Sequence, residues 1–292
     1  FPTRRSSDLA ENLTKHYSGF SLNKISFNLP KGSIMGLIGE NGAGKTTTIK
    51  LLLNLIKKDS GKITIFGLDN IKHEMKIKQD IGVVLDESSF HDNLKPKDIS
   101  TFMGNIYDKW DNKKFFDYLN IFNLPQNKIV KDYSKGMKMK LSIAAALSHN
   151  PKLLILDEPT GGLDPVVRSE ILDIFMDFIQ DDEKSILFST HVTSDLDKIA
   201  DYITFIHKGN LVFTESNDEI NDNYGIIKCG INEFNKIDRK DILGYRKNKF
   251  GYEVLINNKQ NSIYRDFIID PANLEDIMLY HIRGDINEGS VD

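Results

Sequence analysis

The sequence is poor in the features that mark secreted, membrane-spanning and nucleic-acid-binding proteins. Its 292 residues contain one cysteine, Cys229, which excludes an internal disulfide framework and a thiolate metal cluster within one chain. No apolar run approaches the roughly 20 residues that a membrane-spanning helix needs, and the N-terminus lacks the regions of a secretory signal. The formal net charge of −4 gives no overall basic excess of the kind that general nucleic-acid binders carry. We therefore expect a protein of the reducing cytosol, with no nucleic-acid partner, that reaches a membrane only through another chain.

One stretch, residues 39 to 47, carries the clearest chemical signal. It reads Gly-Glu-Asn-Gly-Ala-Gly-Lys-Thr-Thr and lies between an apolar run and a helix-like run. It fits the phosphate-binding pattern G-x-x-x-x-G-K-[ST] in the strand, loop, helix setting that this pattern requires. The glycines let backbone N–H groups approach a triphosphate, and the helix adds the positive end of its dipole. The alternative is a glycine-rich turn that matches by chance, and the lysine and threonine in register argue against it.

The residues of this loop have separate predicted roles. We expect Lys45 to reach the β- and γ-phosphates of a nucleoside triphosphate and the Thr46 hydroxyl to bind Mg²⁺. The predicted nucleotide-binding residues of the stretch are Gly39, Asn41, Gly42, Gly44, Lys45, Thr46 and Thr47.

Two more apolar runs end in residues that can carry chemistry. One ends at Asp157 and Glu158, and another ends at His191. Because α/β sheets bind ligands at the carboxyl ends of their buried parallel strands, we expect these side chains at one site. There Asp157 would hold the Mg²⁺ that Thr46 also contacts, and Glu158 would polarise an attacking water as general base. The alternatives are a helix-capping role for the two acids and a structural role for the histidine.

The remaining patterns predict alternating strands and helices. We expect strands at 12–17, 22–29 and 34–38, a turn at 60–61, a strand at 62–67, a helix at 72–80 and a strand at 81–85. Residues 97 to 148 have a helical pattern and include the aromatic side chains Phe102, Tyr107, Trp110, Phe115, Phe116, Tyr118 and Phe122. We expect these rings to fill a helical core, the alternative being a stacking surface for nucleic acid.

The two ends of the chain differ from its middle. Residues 1 to 9 have no periodicity and resemble the translation of a sequencing-library adapter, so we leave them out of the fold; a disordered native tail is the alternative. Near the other end we expect strands at 252–256 and 262–269, and then a helix that opens at Asp270 and Pro271. The expected apolar face of that helix contains Leu274, Ile277, Met278, His281 and Ile282. This divides the chain into residues 1–9, a main domain at 10–220 and a small α+β domain at 225–292.

The order of the motifs over residues 10 to 215 resembles the ATP-binding subunit of an ATP-binding-cassette (ABC) transporter. Residues 39–46 match the family's Walker A loop, residues 153–157 its Walker B strand and residues 162–164 its D-loop. The resemblance implies an α/β fold of the P-loop NTPase type, with a RecA-like core, an antiparallel β subdomain and a helical subdomain at about 90–148. It also implies that Glu158 is the catalytic glutamate, His191 the switch histidine and Tyr17 the aromatic residue that stacks on adenine. From its local sequence alone, Tyr17 is more simply a packing residue.

Two departures from the family pattern stand out. Residues 133–137, Tyr-Ser-Lys-Gly-Met, occupy the place of the LSGGQ signature. Ser134 and Gly136 are kept, and the resemblance implies that they bind the γ-phosphate of ATP held by an opposite subunit; Lys135 and Met137 replace glycine and glutamine, as in exporters of the ABC-2 type. At the Q-loop, Asp86 replaces the family's glutamine, and the resemblance implies that it holds a Mg²⁺-bound water.

The resemblance also implies partners and a location. It predicts an ATPase that uses ATP and Mg²⁺, works with a second ABC ATPase subunit, identical or paralogous, and drives a separate polytopic membrane subunit at the cytoplasmic face of the membrane. The docking surface would lie between Asp86 and about Asp108. The tail after Gly225 is similar to that of a bacterial exporter subgroup that includes the acetoin-related transporters of bacilli and the staphylococcal exporter of phenol-soluble modulins, so we expect an amphiphilic or antimicrobial-type peptide as cargo.

A competing hypothesis is a soluble ABC ATPase that acts on the ribosome or on nucleic acid without transport. DNA-repair relatives insert a long coiled coil between the phosphate loop and the signature, and ribosomal relatives carry two cassettes in one chain. This sequence shows neither a long insertion nor a second phosphate loop.

Overall fold

A computed structural model describes residues 6 to 85 and 90 to 283. Its strands are β1 (Ser6–Tyr17), β2 (Phe20–Pro30), β3 (Ile34–Ile38), β4 (Ser60–Lys62), β5 (Thr64–Ile65), β6 (Leu68–Asp69), β7 (Ile81–Val84), β8 (Leu153–Asp157), β9 (Ser185–Thr190), β10 (Tyr202–His207), β11 (Asn210–Ser216), β12 (Gly225–Cys229), β13 (Ile242–Asn248), β14 (Gly251–Ile256) and β15 (Ile269–Pro271). Its helices are α1 (Lys45–Leu52), α2 (Glu74–Gln79), α3 (Pro96–Gly104), α4 (Asn112–Ile121), α5 (Lys135–Leu147), α6 (Pro165–Phe178), α7 (Thr193–Ile199), α8 (Asn217–Asn223), α9 (Ile231–Phe234) and α10 (Leu274–Arg283).

These elements form two compact units. The first contains the described residues up to Val192 together with Ile199–Thr214, and the second contains Thr193–Lys198 and the described residues from Glu215 on. The division lies a little before the boundary that we expected at 220–225, and the assignment of domains stays a prediction. Among the helices of the described residues, none is both long and apolar enough to cross a membrane.

The first unit is built on a sheet with the strand order β4-β1-β2-β11-β10-β3-β9-β8-β7. From β10 to β7, neighbouring strands run parallel. Strands β3, β8 and β9 are buried along their whole length, as is typical of parallel strands in α/β proteins. Since these three strands are neighbours, their carboxyl ends meet at one edge of the sheet. The predicted α/β fold is confirmed, and this edge carries the predicted site residues.

The other end of this sheet is antiparallel, with β1 paired to both β2 and β4. Leu9, Leu13 and Ile25 are fully buried in its hydrophobic core. We expected residues 1 to 9 to contribute nothing to the fold, and this is wrong for residues 6 to 9, because β1 includes them and Leu9 packs in that core. The adapter origin of the segment stays a prediction.

The region after α1 contains more and shorter strands than its sequence pattern indicates. Ser60 and Gly61, expected in a turn, belong to β4, which pairs with β1. The single strand expected at 62–67 is wrong, because β5 pairs with β6 instead of continuing β4. Phe66 and Gly67 have φ values of 55° and 73°. Backbone in this left-handed region cannot continue a strand, so the chain turns back there.

Helices α3, α4 and α5 supply the helical region that we expected at 97–148. Phe115 and Phe122 are buried, and the ring of Tyr107 stacks on the imidazole of His149 with centroids 3.9 Å apart. Phe102, however, is 58% exposed. The expectation that all seven aromatic rings fill a core is therefore wrong for this residue, because the buried side of α3 is formed by Pro96, Ile99 and Ser100 and Phe102 lies beside it.

The second unit contains an antiparallel sheet with the strand order β13-β14-β12-β15. The strand expected at 262–269 is wrong, since residues 262–264 form a short 3₁₀ helix and β15 begins at Ile269. The Asn261 side chain caps this turn by accepting from the N–H of Ile263. The turn brings Tyr264 into the interior, where its hydroxyl donates to Asp241 Oδ2 at 2.8 Å.

Helix α10 begins later than expected, because Pro271 lies in β15 and Asn273 is the capping residue. The N–H of Asp276 donates to Asn273 Oδ1 at 2.8 Å, and the N–H of Asn273 donates to Asp276 Oδ2 at 3.3 Å. This reciprocal pair satisfies two backbone donors at the helix start. The predicted apolar face is buried at Leu274, Ile277 and Met278 and half-buried at His281 and Ile282.

Candidate active site

The loop between β3 and α1 holds its shape through glycines that no other residue could replace without movement. Gly39 has a φ of 154°, and a Cβ at this position would lie 2.2 Å from the carbonyl oxygen of Ile206. Gly44 has a φ of 116°, and a Cβ there would lie 2.8 Å from Leu22 Cδ1. Since α1 starts directly after Gly44, the loop delivers its backbone N–H groups and the helix N-terminus to one place.

Lys45 points back into this loop. Its side chain is 6% exposed, and its Nζ donates to the carbonyl oxygen of Gly39 at 2.8 Å. The same Nζ lies 3.5 Å from Glu158 Oε1, so the ammonium of the loop and the carboxylate at the end of β8 form a largely buried ion pair. Among the residues that the structure describes, this buried cation contacts one carboxylate oxygen and loop carbonyls, which suits it to bind phosphate oxygens.

Asp157 is the last residue of β8 and is buried. Burial raises the pKa of its carboxyl, and a hydrogen bond with the Thr46 side chain opposes that shift. Its Oδ1 atom has no hydrogen-bond partner within the described residues. A buried carboxylate oxygen without a partner, beside a threonine hydroxyl, fits a hard divalent cation such as Mg²⁺. No group of three or more His, Cys, Asp or Glu side chains in the described part of the chain could hold a metal alone.

Glu158 follows with a φ of 52°, a left-handed conformation that is uncommon for a residue with a side chain. Its N–H donates to the carbonyl oxygen of Ser189 at 2.9 Å, which ties the end of β8 to β9. Its Oε2 atom is 2.7 Å from His191 Nδ1 and accepts from the backbone N–H of His191 at 3.3 Å. Backbone strain of this kind concentrates at functional sites, where the surrounding contacts hold the residue in place.

Lys45, Glu158 and His191 line a cleft of about 620 Å³. It is lined by Phe20, Glu40, Asn41, Gly42, Gly44, Lys45, Thr46, Thr47, Lys135, Glu158, Gly161, Gly162 and His191. The fold thus brings most of the predicted nucleotide-binding residues and both predicted catalytic residues together. Gly39 shapes the loop behind the cleft through its hydrogen bond to Lys45, and Asp157 lies beneath it in the sheet.

Three predicted site residues lie outside this cleft. Tyr17 is half-exposed in the described structure and does not line the cleft. Ser134 and Gly136 line a second, smaller cleft of about 260 Å³, where the Ser134 Oγ accepts from the N–H of Met137 and caps α5. Asp86 lies outside the described residues.

The sequence reasoning missed several residues of the cleft wall. Phe20 packs over the loop, with its ring 3.1 Å from the place that a Cβ on Gly44 would take. It also faces Tyr17 across the turn between β1 and β2. The sequence Ser18-Gly19 gave a signal for this pairing, because it is typical of a turn and residues on either side of a two-residue turn lie opposite each other. Lys135, Gly161 and Gly162 had no such local signal.

Comparisons with known proteins agree with this geometry. The ABC transporter family model matches residues 22–161. The chain is 37% identical over 205 residues to the bacitracin transport ATP-binding protein BcrA of Enterococcus faecalis, covering 69% of this chain and 67% of that one. It is 35% identical over 215 residues to the lantibiotic transport ATP-binding protein SrtF of Streptococcus pyogenes, covering 71% and 90%.

A solved structure of an ATP-binding subunit of an ABC transporter superposes with a TM-score of 0.67 at 25% identity, covering 73% of this chain and 90% of that one. The P-loop NTPase architecture implied by the resemblance is thereby confirmed. The chain belongs to the ABC transporter family, as one of its ATP-binding, ATP-hydrolysing members.

Proposed function

We propose that this chain is the ATP-binding and ATP-hydrolysing subunit that powers export by a separate membrane subunit. The observation that carries the proposal is the contact chain from Lys45 through Glu158 to His191, at distances of 3.5 and 2.7 Å, beside the phosphate loop. It joins a phosphate-binding cation, a candidate general base and a group that orients the base. These are the parts that phosphoryl transfer to water requires.

Each residue of the cleft has a defined part in this proposal. Lys45 and the loop N–H groups bind the phosphates, and Glu158 aligns and polarises the attacking water. His191 holds the Glu158 carboxylate through its Nδ1 atom and its backbone N–H. Thr46 and Asp157 would hold Mg²⁺, which supplies positive charge against the phosphate oxygens.

Ser134 and Gly136 complete the site from a second ATPase subunit, identical or paralogous. Support for this comes from their placement on a second cleft of the same chain, which adjoins the first at Lys135 and Gly162 and contains no residue of the phosphate loop. Two chains facing each other would each present this signature surface to the nucleotide of the other. We further assign adenine stacking to Tyr17, whose ring is exposed on one β-strand end and has the Lys15 ammonium 5.4 Å from its centroid. The role of Asp86 stays a prediction from the resemblance.

An exposed apolar patch, formed by Leu55, Ile71, Met75, Phe102 and Ile106, is our proposed docking surface for the membrane subunit. Side-chain hydrogen bonds link the segments that carry these residues. Asn54 Nδ2 donates to Glu74 Oε2 at 2.7 Å, which ties α1 to α2. The Gln79 side chain donates to the carbonyl oxygen of Ile106 and accepts from the N–H of Asp108, which ties α2 to the segment after α3. Docking there would hold the chain at the cytoplasmic face of the membrane.

The names of the relatives favour an amphiphilic or antimicrobial-type peptide as the cargo. BcrA and SrtF are named for bacitracin transport and lantibiotic transport. To test this, the source cells would carry the wild-type chain, the Glu158→Gln variant or the Glu183→Gln variant, and growth in bacitracin would be measured. We expect Glu158→Gln to be as sensitive as a deletion strain and Glu183→Gln to match the wild type, since Glu183 is an exposed residue outside the cleft. Equal growth of all four strains would reject bacitracin as cargo.

A further inference from the structure

The first residue of α5, Lys135, extends into the nucleotide cleft of its own chain. It lines the cleft together with Lys45, Thr46, Glu158 and His191. Its Nζ atom lies against Gly162, so close that a Cβ on that glycine would be 3.1 Å from it. The Lys135 ammonium therefore occupies space that is available because Gly162 has no side chain. Lys135 and Gly162 also line the second cleft, so they lie where the two clefts adjoin, whereas Ser134 and Gly136 line only the second one.

Lys135 differs from the other lysines of the same helix in its partners. Lys138 pairs with Asp92 at 3.1 Å, and Lys140 pairs with Glu170. Within the described residues, Lys135 has no carboxylate within ion-pair distance. An ammonium that enters a phosphate-binding cleft without a carboxylate partner is available to an anionic ligand.

The position of Lys135 indicates which end of such a ligand it would contact. Gly161 donates its N–H to the carbonyl oxygen of Glu158 at 3.1 Å, so residues 158 to 162 form one compact turn. If Glu158 aligns the attacking water, the terminal phosphate must lie beside this turn. Lys135, which rests on Gly162, then lies at the terminal-phosphate end of the cleft, while Lys45 enters it from the loop.

We propose that Lys135 binds the terminal phosphate of the nucleotide held in the cleft of the same chain and thereby favours the triphosphate over the diphosphate. This inference rests on the proposed ATP-binding function. It assigns to the substituted signature position a contact within one chain, whereas Ser134 and Gly136 serve the nucleotide of a second subunit. The effect of this contact is present before any second subunit binds.

The test measures nucleotide binding by the purified full-length chain, at concentrations at which sedimentation shows a monomer. The ligands are ADP and the non-hydrolysable triphosphate AMP-PNP, each with Mg²⁺, titrated by calorimetry. We expect Lys135→Met to weaken AMP-PNP binding about 5- to 10-fold, the range expected for one partly exposed charge-assisted contact, and ADP binding less than about 2-fold. Lys135→Arg keeps the charge and should retain the preference for the triphosphate.

Lys138→Met is the matched control, since it removes a charge from the same helix outside the cleft. It should bind both nucleotides like the wild type. Unchanged AMP-PNP binding by Lys135→Met, or an equal loss for AMP-PNP and ADP, would overturn the inference. Failure of the wild-type chain to bind either nucleotide would instead reject the proposed function itself.

Discussion

At the scale of single residues, Glu158 is the centre of the site. One oxygen of its carboxylate lies near the Lys45 ammonium, and the other contacts His191. If the phosphates of a nucleotide bind the Lys45 ammonium, they replace Glu158 as its partner. One carboxylate oxygen of Glu158 would then be available to bind water. The 14% exposed side chain of Glu158 would thus change partners without leaving its place.

The first prediction concerns this carboxylate. Glu158→Gln keeps the size of the side chain and removes its basicity, so we expect ATP turnover to fall roughly 10²- to 10⁴-fold, the usual contribution of a general base. ATP binding should persist, because the phosphate loop is unchanged. Phosphate release and ATP titration on the same preparation measure the two effects, with Glu183→Gln as control. Turnover near that of the wild type would remove Glu158 from this role.

The second prediction concerns Lys45. Lys45→Ala removes the buried ammonium that faces the cleft, and we expect it to abolish tight ATP binding, with a loss of about 10²-fold or more for a desolvated charge contact. Lys50→Ala is the matched control, since Lys50 is exposed on the same helix. A titration in which Lys45→Ala binds ATP with wild-type affinity would refute the assignment.

The third prediction concerns Asp157. Burial raises the pKa of its carboxyl, so the ionised form is disfavoured in the folded chain, and its contribution to stability falls as the pH rises from its ordinary value through the raised one. Without nucleotide and Mg²⁺, Asp157→Asn should therefore raise the free energy of unfolding at pH 7 and flatten this pH dependence. Its Mg²⁺-dependent ATP turnover should drop by about 10²-fold or more. Denaturant unfolding from pH 4 to 8 and phosphate release measure these effects, and a less stable variant at pH 7 would contradict the account.

The sequence predicts some of these residues better than others. Lys45, Asp157 and Glu158 were predictable because a loop pattern and a strand end fix their positions locally. Phe20 and Lys135 were not, because they reach the cleft only through the packing of β2 and α5 against the loop. No local pattern records that packing.

At the scale of elements, the buried strands of the parallel sheet were the most predictable part of the fold. The bounds of β3 and the run that forms β8 agree with the expectation. A short, continuous apolar run between polar turns is compatible with few secondary structures other than a buried strand. The segment at 262–273 was harder. There the position of the buried Tyr264 depends on its contact with Asp241, which is distant in sequence. The contact between Asn273 and Asp276 is local, but it lies three residues after the helix start that we expected at Asp270.

The fourth prediction tests that capping residue. Asn273→Ala removes the side-chain oxygen that accepts from Asp276, and we expect it to lower the free energy of unfolding by about 1 kcal/mol, the typical contribution of such a cap. Asn235→Ala serves as control, since Asn235 is exposed in the same unit. Thermal and denaturant unfolding give both values. An equal effect of the two substitutions would show that Asn273 has no special capping role.

At the scale of the whole molecule, the chain presents two further surfaces besides its nucleotide cleft. The signature residues Ser134 and Gly136 lie on a second cleft that contains no phosphate-loop residue, and Phe102 belongs to an exposed apolar patch. An ATPase that works alone needs neither. Both surfaces are explained if the signature cleft binds a second ATPase subunit and the apolar patch binds a membrane subunit.

The most direct test of this account is co-purification from native membranes in mild detergent, followed by identification of every recovered protein by mass spectrometry. The wild-type chain is compared with Phe102→Asp, which places a charge in the docking patch, and with Phe250→Asp, which changes a 92% exposed phenylalanine outside it. We predict that the wild type and Phe250→Asp recover a polytopic membrane subunit and that Phe102→Asp recovers about tenfold less, as expected for a central interface residue. Recovery of ribosomes or nucleic-acid-binding proteins alone, by all three chains, would contradict the exporter assignment.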